Sequence, residues 1–145
     1  MSKIEKIKKE LKRKRTILAI LLQLLGLKKK LRELQVELKI RLICKKEGLS
    51  EKEADLVVAV ARAESGLNPK AVNVKGNYPP GSRDRGLFQW NDYWHPEISD
   101  ECAFDIECAT KAFIKAYKQG NLHWWRSSMK KWGKYLARLK EDKKI

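Results

Sequence analysis

Three observations predict a mainly α fold with a small irregular β or loop region, preceded by a long N-terminal helix. Residues 1–46 contain one glycine and no proline, with apolar side chains at three- and four-residue steps. A serine-led capping box opens a second helical pattern at Ser50, and a third follows Asp105. Nowhere does a sustained apolar–polar alternation mark a half-buried strand. The 145 residues are about one domain's worth of chain. An apolar fraction of 43% with only 8 Gly and 4 Pro excludes collagen-like and low-complexity classes and argues against disorder.

The first element is expected over residues 1–46. Ile17, Ile20, Leu24, Leu27, Leu31, Leu34 and Leu38 form a heptad-like seam. Ile4, Ile7, Leu11, Leu18, Leu21 and Leu25 cover a neighbouring face, so between Ile17 and Leu27 the helix is apolar nearly all round. The uncharged run Thr16–Leu27 is 12 residues, roughly 18 Å of helix against a hydrocarbon core of roughly 30 Å, too short for a simple span. A signal sequence fits less well, because no small-x-small cleavage site follows. The expectation is an uncleaved amphipathic or coiled-coil-like helix, with attachment to a membrane surface as the next reading. A helix that completes the core or a dimer is the plainest account.

Gly48 ends that pattern. In Ser50-Glu51-Lys52-Glu53, Ser50 can accept from the Glu53 N–H while Glu53 reaches back to the Ser50 N–H. The helix so opened runs through Leu56, Val57, Val60, Ala61 and Glu64 and stops at Ser65-Gly66. Residues 68–84 lose all periodicity; Gly76, Asn77, Pro79, Pro80, Gly81 and Ser82 mark loops or a short hairpin. Asp105 is the N-cap of a helix over Ile106 to about Lys118, ended by Gly120. The last helix is expected from about Trp124 or Arg126 to Leu139, with a frayed tail. A domain of residues 47–145 would thus follow an N-terminal helix of residues 1–46.

Charge is uneven along the chain. Residues 1–46 hold 16 Lys and Arg against 4 Asp and Glu, residues 129–145 hold 7 against 2, and residues 47–128 hold 10 against 12. The formal charge of +15 therefore describes the two ends. An anionic partner is implied for those ends, whereas the near-neutral middle argues against a nucleic-acid function centred there.

Glu64 closes an apolar helix on the face of Val57, Val60 and Ala61. A carboxyl partly buried among apolar groups has its charged form disfavoured, and a helix C-terminus adds to that. Such a group stays protonated long enough to donate to a leaving oxygen. Asp84, flanked by Arg83 and Arg85, sits among cations that favour ionisation. One protonated acid opposite one ionised carboxylate is the pair that glycoside hydrolysis requires. Taken alone, Glu64 reads first as a solvated helix-end residue; the second carboxylate is what points to chemistry.

The stretch Glu64-Ser65-Gly66-Leu67-Asn68-Pro69-Lys70-Ala71-Val72-Asn73, followed by Asp84-Arg85-Gly86-Leu87-Phe88-Gln89-Trp90-Asn91, resembles the lysozyme-like superfamily. That superfamily joins animal-type lysozymes and their bacterial and phage relatives to soluble lytic transglycosylases. Its patterns E-S-x-x-N-x-x-A-x-N and D-x-G-[IL]-x-Q-x-N are matched in order over about Leu56 to Trp132. The resemblance implies Glu64 as general acid and Asp84 as nucleophile or charge stabiliser. It makes Gln89 and Asn91 polar residues of a sugar cleft. Arg85 departs from the usual aromatic, Trp90 from the usual branched aliphatic, and the loop between the acids is long. If Asp84 points away, the transglycosylase chemistry, with Glu64 alone and a 1,6-anhydro product, is the better reading.

Trp90, Tyr93, Trp94, Trp124 and Trp125 supply aromatic planes for sugar rings, although most could equally be core, as Trp132 and Tyr135 are expected to be. Cys102 and Cys108 are close enough to bridge a loop onto the following helix. Relatives carry loop disulfides there, and a bridge fits an extracytoplasmic destination. Cys44 is left free or intermolecular. No standard spacing joins these cysteines to His95 or His123 as a zinc site. Asp100, Asp105 and Glu107 could form a calcium loop, but Asp105 as a helix cap is the blander account. No metal or cofactor is expected.

The expected function is cleavage of the β-1,4 bond between N-acetylmuramic acid and N-acetylglucosamine in peptidoglycan glycan strands. The rivals are a non-catalytic cell-wall or membrane-binding protein on the same scaffold, and a basic nucleic-acid or membrane-active helix carrying a small domain. Residues 1–46 could hold the protein to an anionic membrane or wall surface, or pair it into a homo-oligomer.

Overall fold

A computed structural model describes residues 1–144. The fold is mainly α with a small three-stranded antiparallel sheet, as expected. Helix α1 spans Lys3–Lys46, α2 Glu51–Ser65, α3 Asp100–Ala103, α4 Ile106–Lys118 and α5 Met129–Asp142, the last preceded by a 3₁₀ segment, Leu122–Ser128. Strands β1 (Val72–Asn73), β2 (Asp84–Arg85) and β3 (Trp90–Asn91) are two residues each, in the order β1-β2-β3. The chain divides into two units, residues 1–34 and residues from Gln35 onward.

Residues 3–34 are helix throughout, and their large apolar side chains are exposed. No helix among the described residues is long and apolar enough to cross a membrane.

The second unit is built around α2. Val57 through Ala61 are all buried, so this helix is covered on every side. Its start follows the capping box: Ser50 Oγ accepts from the Glu53 N–H and Glu53 Oε1 from the Ser50 N–H. Glu53 also accepts from the Tyr117 hydroxyl, which ties α4 to the start of α2. Gly66 closes the helix at φ 63°, a left-handed cap that glycine adopts without strain. The core draws in the end of α1 through Val36, Ile40, Ile43 and Cys44, upstream of the expected division at residues 46 and 47. Leu38, expected on the packing seam, is exposed. Cys44 is fully buried and its thiol is pushed up to about 11 by that burial, so the folded chain presents no thiolate there for intermolecular pairing.

Asp55 is a buried carboxylate on α2. It accepts from Arg41 Nη1 at 2.8 Å and from Lys143 Nζ, fastening the end of α1 and the end of α5 to the central helix. Burial alone would raise its pKa; the bonds from Lys143 and Arg41 outweigh burial and hold it below the ordinary value. Lys143 lies in the tail expected to fray, and α5 runs on to Asp142. Helix α3 is a single turn that the periodicity did not announce; Ser99 caps it by accepting from the Cys102 N–H. The Cys102–Cys108 disulfide joins α3 to the first turn of α4. Asp105 caps α4 by accepting from the Cys108 N–H.

Candidate active site

The last turn of α2 delivers Glu64 to a cavity of about 310 Å³, lined also by Asp84, Gln89, Trp90, Asn91, Trp94, His95, Trp124, Trp125 and Ser127. Every residue expected to act or to bind sugar is therefore in one place except Tyr93. That side chain is exposed and packs edge-on against Trp94 at 4.9 Å.

Glu64 is half-buried, and burial pushes its pKa above the ordinary value. A hydrogen bond from Ser128 Oγ opposes the shift, the negative charge of Asp84 adds to it, and Lys131 opposes it. Asp84 reaches the cavity from β2, where it pairs with Asn91 of β3. Asn91 Nδ2 donates to Asp84 Oδ1 at 2.9 Å and to Ser82 Oγ at 3.2 Å. Its Oδ1 accepts from the backbone N–H groups of Tyr93 and Trp94. One amide thus fixes the carboxylate and starts the turn that carries Trp94.

Tight backbone geometry sets these strands. Gly86 has φ +74°, and a β-carbon there would fall 1.8 Å from the Ala103 carbonyl oxygen, so the turn after Asp84 leans directly on α3. Gln89 has φ +54°, a left-handed conformation that costs a non-glycine residue about 1–2 kcal/mol. Its side chain holds the turn by donating to the Gly86 carbonyl at 2.9 Å, with a longer contact to that of Ala71. Strain of this kind gathers at functional sites.

The departure at Arg85 has a structural account. Its side chain is 2% exposed; Nε donates to the Trp90 carbonyl at 3.0 Å and Nη1 to Asp100 Oδ1 at 2.9 Å. Arg83 also donates to Asp100, and to Asp92. Asp100 is therefore the acceptor for two guanidinium groups, and Asp105 is a helix cap; neither is placed as in a calcium loop.

The aromatic wall has layers. Trp125 is buried, its Nε1 donating to the Phe88 carbonyl and its ring against Phe113 at 4.5 Å; Phe113 in turn stacks on Phe88. Trp90 is buried edge-on to Trp125. Trp124 and Trp94 stay about half exposed; Trp124 lies against His95 at 4.9 Å, and Trp94 Nε1 donates to the Tyr78 carbonyl. The wall is firm beneath and open above, which suits the apolar face of a sugar ring. Ser127, Ser128 and the place of His95 were not foreseen. Ser128 is 64 positions from Glu64, and no local pattern links them.

The family described as a lysozyme like domain matches residues 41–127. Searches of the curated proteins and of the solved structures gave no match. The matched span covers more than half of the chain, including Glu64, Asp84 and the whole aromatic wall, and the chain accordingly belongs to the lysozyme-like domain family, one of peptidoglycan-related glycosidases and transglycosylases.

Proposed function

We propose that the protein is a muramidase, hydrolysing the β-1,4 bond between N-acetylmuramic acid and N-acetylglucosamine with Glu64 as general acid and Asp84 as its ionised partner. The observation that carries this reading is the sharing of one aromatic-walled cavity by the two carboxyl groups, with burial raising the pKa of Glu64. In the proposed reaction Glu64 protonates the glycosidic oxygen as its bond to the anomeric carbon breaks. Asp84 meets the positive charge that grows on that carbon, as a nucleophile or as an electrostatic stabiliser. Water then supplies hydroxide to the carbon, displacing the Asp84 carboxylate where it has bonded there, and a proton to Glu64, restoring the acid. Trp94 and Trp124 offer ring faces to the sugars, Gln89 offers its side-chain oxygen to their hydroxyls, and Asn91 holds Asp84 in place.

The unit from Gln35 onward would carry this activity. A wall polymer as substrate and the Cys102–Cys108 disulfide support action outside the cytoplasm. The test is digestion of purified peptidoglycan followed by mass spectrometry. Reducing ends, lost in Glu64→Gln, are expected. Products dominated by 1,6-anhydro ends would replace the hydrolase with a transglycosylase that uses Glu64 alone. No cleavage at all would leave a wall-binding protein.

A further inference from the structure

Residues 11–32 contain eight cationic side chains and no acidic one. The cations form two groups, Lys12–Arg15 and Lys28–Arg32, on either side of the uncharged run Thr16–Leu27. Within that run the eight Leu and Ile side chains are each between 49% and 59% exposed. At about 100° per residue, Lys12, Arg15, Ala19, Gln23, Gly26 and Lys30 fall on one narrow side. The apolar side chains between Ile17 and Leu27 fill the remaining arc of roughly 220°.

A second copy of this helix is a poor cover. In parallel pairing each cationic group meets itself. In antiparallel pairing about the centre, Lys12–Arg15 meets Lys28–Arg32, so both arrangements oppose four cations with four, and each group has a single flanking acid, Glu10, already bound to Arg13, or Glu33. A two-stranded contact on the Ile17–Leu34 seam also leaves Leu18, Leu22 and Leu25 in water. The cover has to be apolar over a broad arc and anionic at both ends of it. A bilayer containing anionic phospholipid has both properties.

We infer that residues 3–34 are a docking helix that lies in the plane of an anionic phospholipid surface. The uncharged run, roughly 18 Å long, is shorter than a hydrocarbon core of roughly 30 Å, so both cationic groups stay at one face of the bilayer. Ala19, Gln23 and Gly26 face the water, the leucines enter the acyl region, and the lysines and arginines reach the headgroups. This surface is separate from the proposed cleavage chemistry, and its test uses no activity.

The experiment is flotation of the full chain with vesicles of equal parts phosphatidylglycerol and phosphatidylcholine, against vesicles of phosphatidylcholine alone, at about 0.1 M salt. The chain is expected to float with the anionic vesicles and to bind the neutral ones at least tenfold more weakly. The triple variant Lys28→Gln, Lys29→Gln, Lys30→Gln should bind the anionic vesicles at least tenfold more weakly, with the melting transition of the lysozyme-like body unchanged. Leu18→Ser with Leu21→Ser and Leu25→Ser should float with neither; should that variant not fold, the lysine variant decides. Equal flotation with both lipids, or a lysine variant that binds as the parent does, would overturn the proposal. So would a chain that self-associates in sedimentation, or that binds purified wall polymer, while ignoring anionic vesicles.

Discussion

The Ser128 hydroxyl hydrogen-bonds a carboxyl oxygen of Glu64 and lies 3.1 Å from the Trp125 carbonyl oxygen. A hydroxyl has one proton and can also accept. Facing a carboxylate, Ser128 donates to it. Facing a carboxylic acid, it can accept from Glu64 and turn its own proton to Trp125. That carbonyl also accepts from Trp132 Nε1, so it is not left bare in either state. Under the proposed reaction, one side chain keeps the acid oriented before and after it gives up its proton.

Ser128→Ala removes a bond that favours the charged form of Glu64, so the pKa of Glu64 should rise further. The alkaline limb of the pH–rate profile should move to higher pH, while kcat/KM at the optimum falls about three- to tenfold. A carbon-13 titration of the Glu64 carboxyl checks the same shift without turnover. A limb that stays in place would reduce Ser128 to a packing residue.

Glu64→Gln should lower wall cleavage by about a thousandfold or more, and Asp84→Asn by about a hundredfold or more, each with an unchanged circular dichroism spectrum. Turbidity loss of purified walls measures both. Full activity in Asp84→Asn, together with anhydro products, would identify transglycosylase chemistry.

The raised pKa of Glu64 has a consequence for stability. A folded pKa above the unfolded one means that the protonated form supports the fold. That contribution is complete below the ordinary glutamate pKa and is lost as pH rises through the folded value. Gln resembles the protonated form at every pH. Glu64→Gln should therefore melt higher than the parent at pH 8, with the gain vanishing near pH 4. Calorimetry at the two pH values checks it.

Asp55 has the opposite sign. Its pKa is held below the ordinary value, so its stabilisation is present above that value and is lost as pH falls through the folded one. Asp55→Asn should cost about 1–3 kcal/mol at pH 7, since Arg41 and Lys143 remain partly solvated when their acceptor is weakened. Urea denaturation should show the difference at pH 7 and little of it near pH 2.

Deleting residues 1–34 should leave a folded body. Deleting residues 1–46 removes Val36, Ile40, Ile43 and Cys44 from the core and should cost about 5 kcal/mol or more, enough to prevent folding of a marginal domain. Solubility and thermal melting of the two truncations decide it.

What could be read from the sequence follows the range of each interaction. The capping box at Ser50 and the Asp105 cap are settled within four residues, and both helices begin there. Glu64 was legible because its helix periodicity set it on an apolar face, and Asp84 because it opens a spaced motif. The wall tryptophans were legible only as a composition; which of them are buried beneath, as Trp125 is, and which stay open, as Trp124 does, depends on Phe88 and Phe113. In α1 two apolar stripes were equally regular. The choice of the Val36–Ile40–Ile43 face was made by the core that these residues enter, which no local pattern contains. Two-residue strands and a one-turn α3 are too short to carry a period.

Arg85 and Asp100 are also a statement about inheritance. A guanidinium sealed at 2% exposure is tolerable only while its acceptors come with it. Among relatives that carry an aromatic ring at the position of Arg85, Arg83 alone is left to hold an acid at the position of Asp100. The two positions should change together across the family, and a lone exchange of either should be found seldom, accompanied by a second change at Arg83 or Asp92.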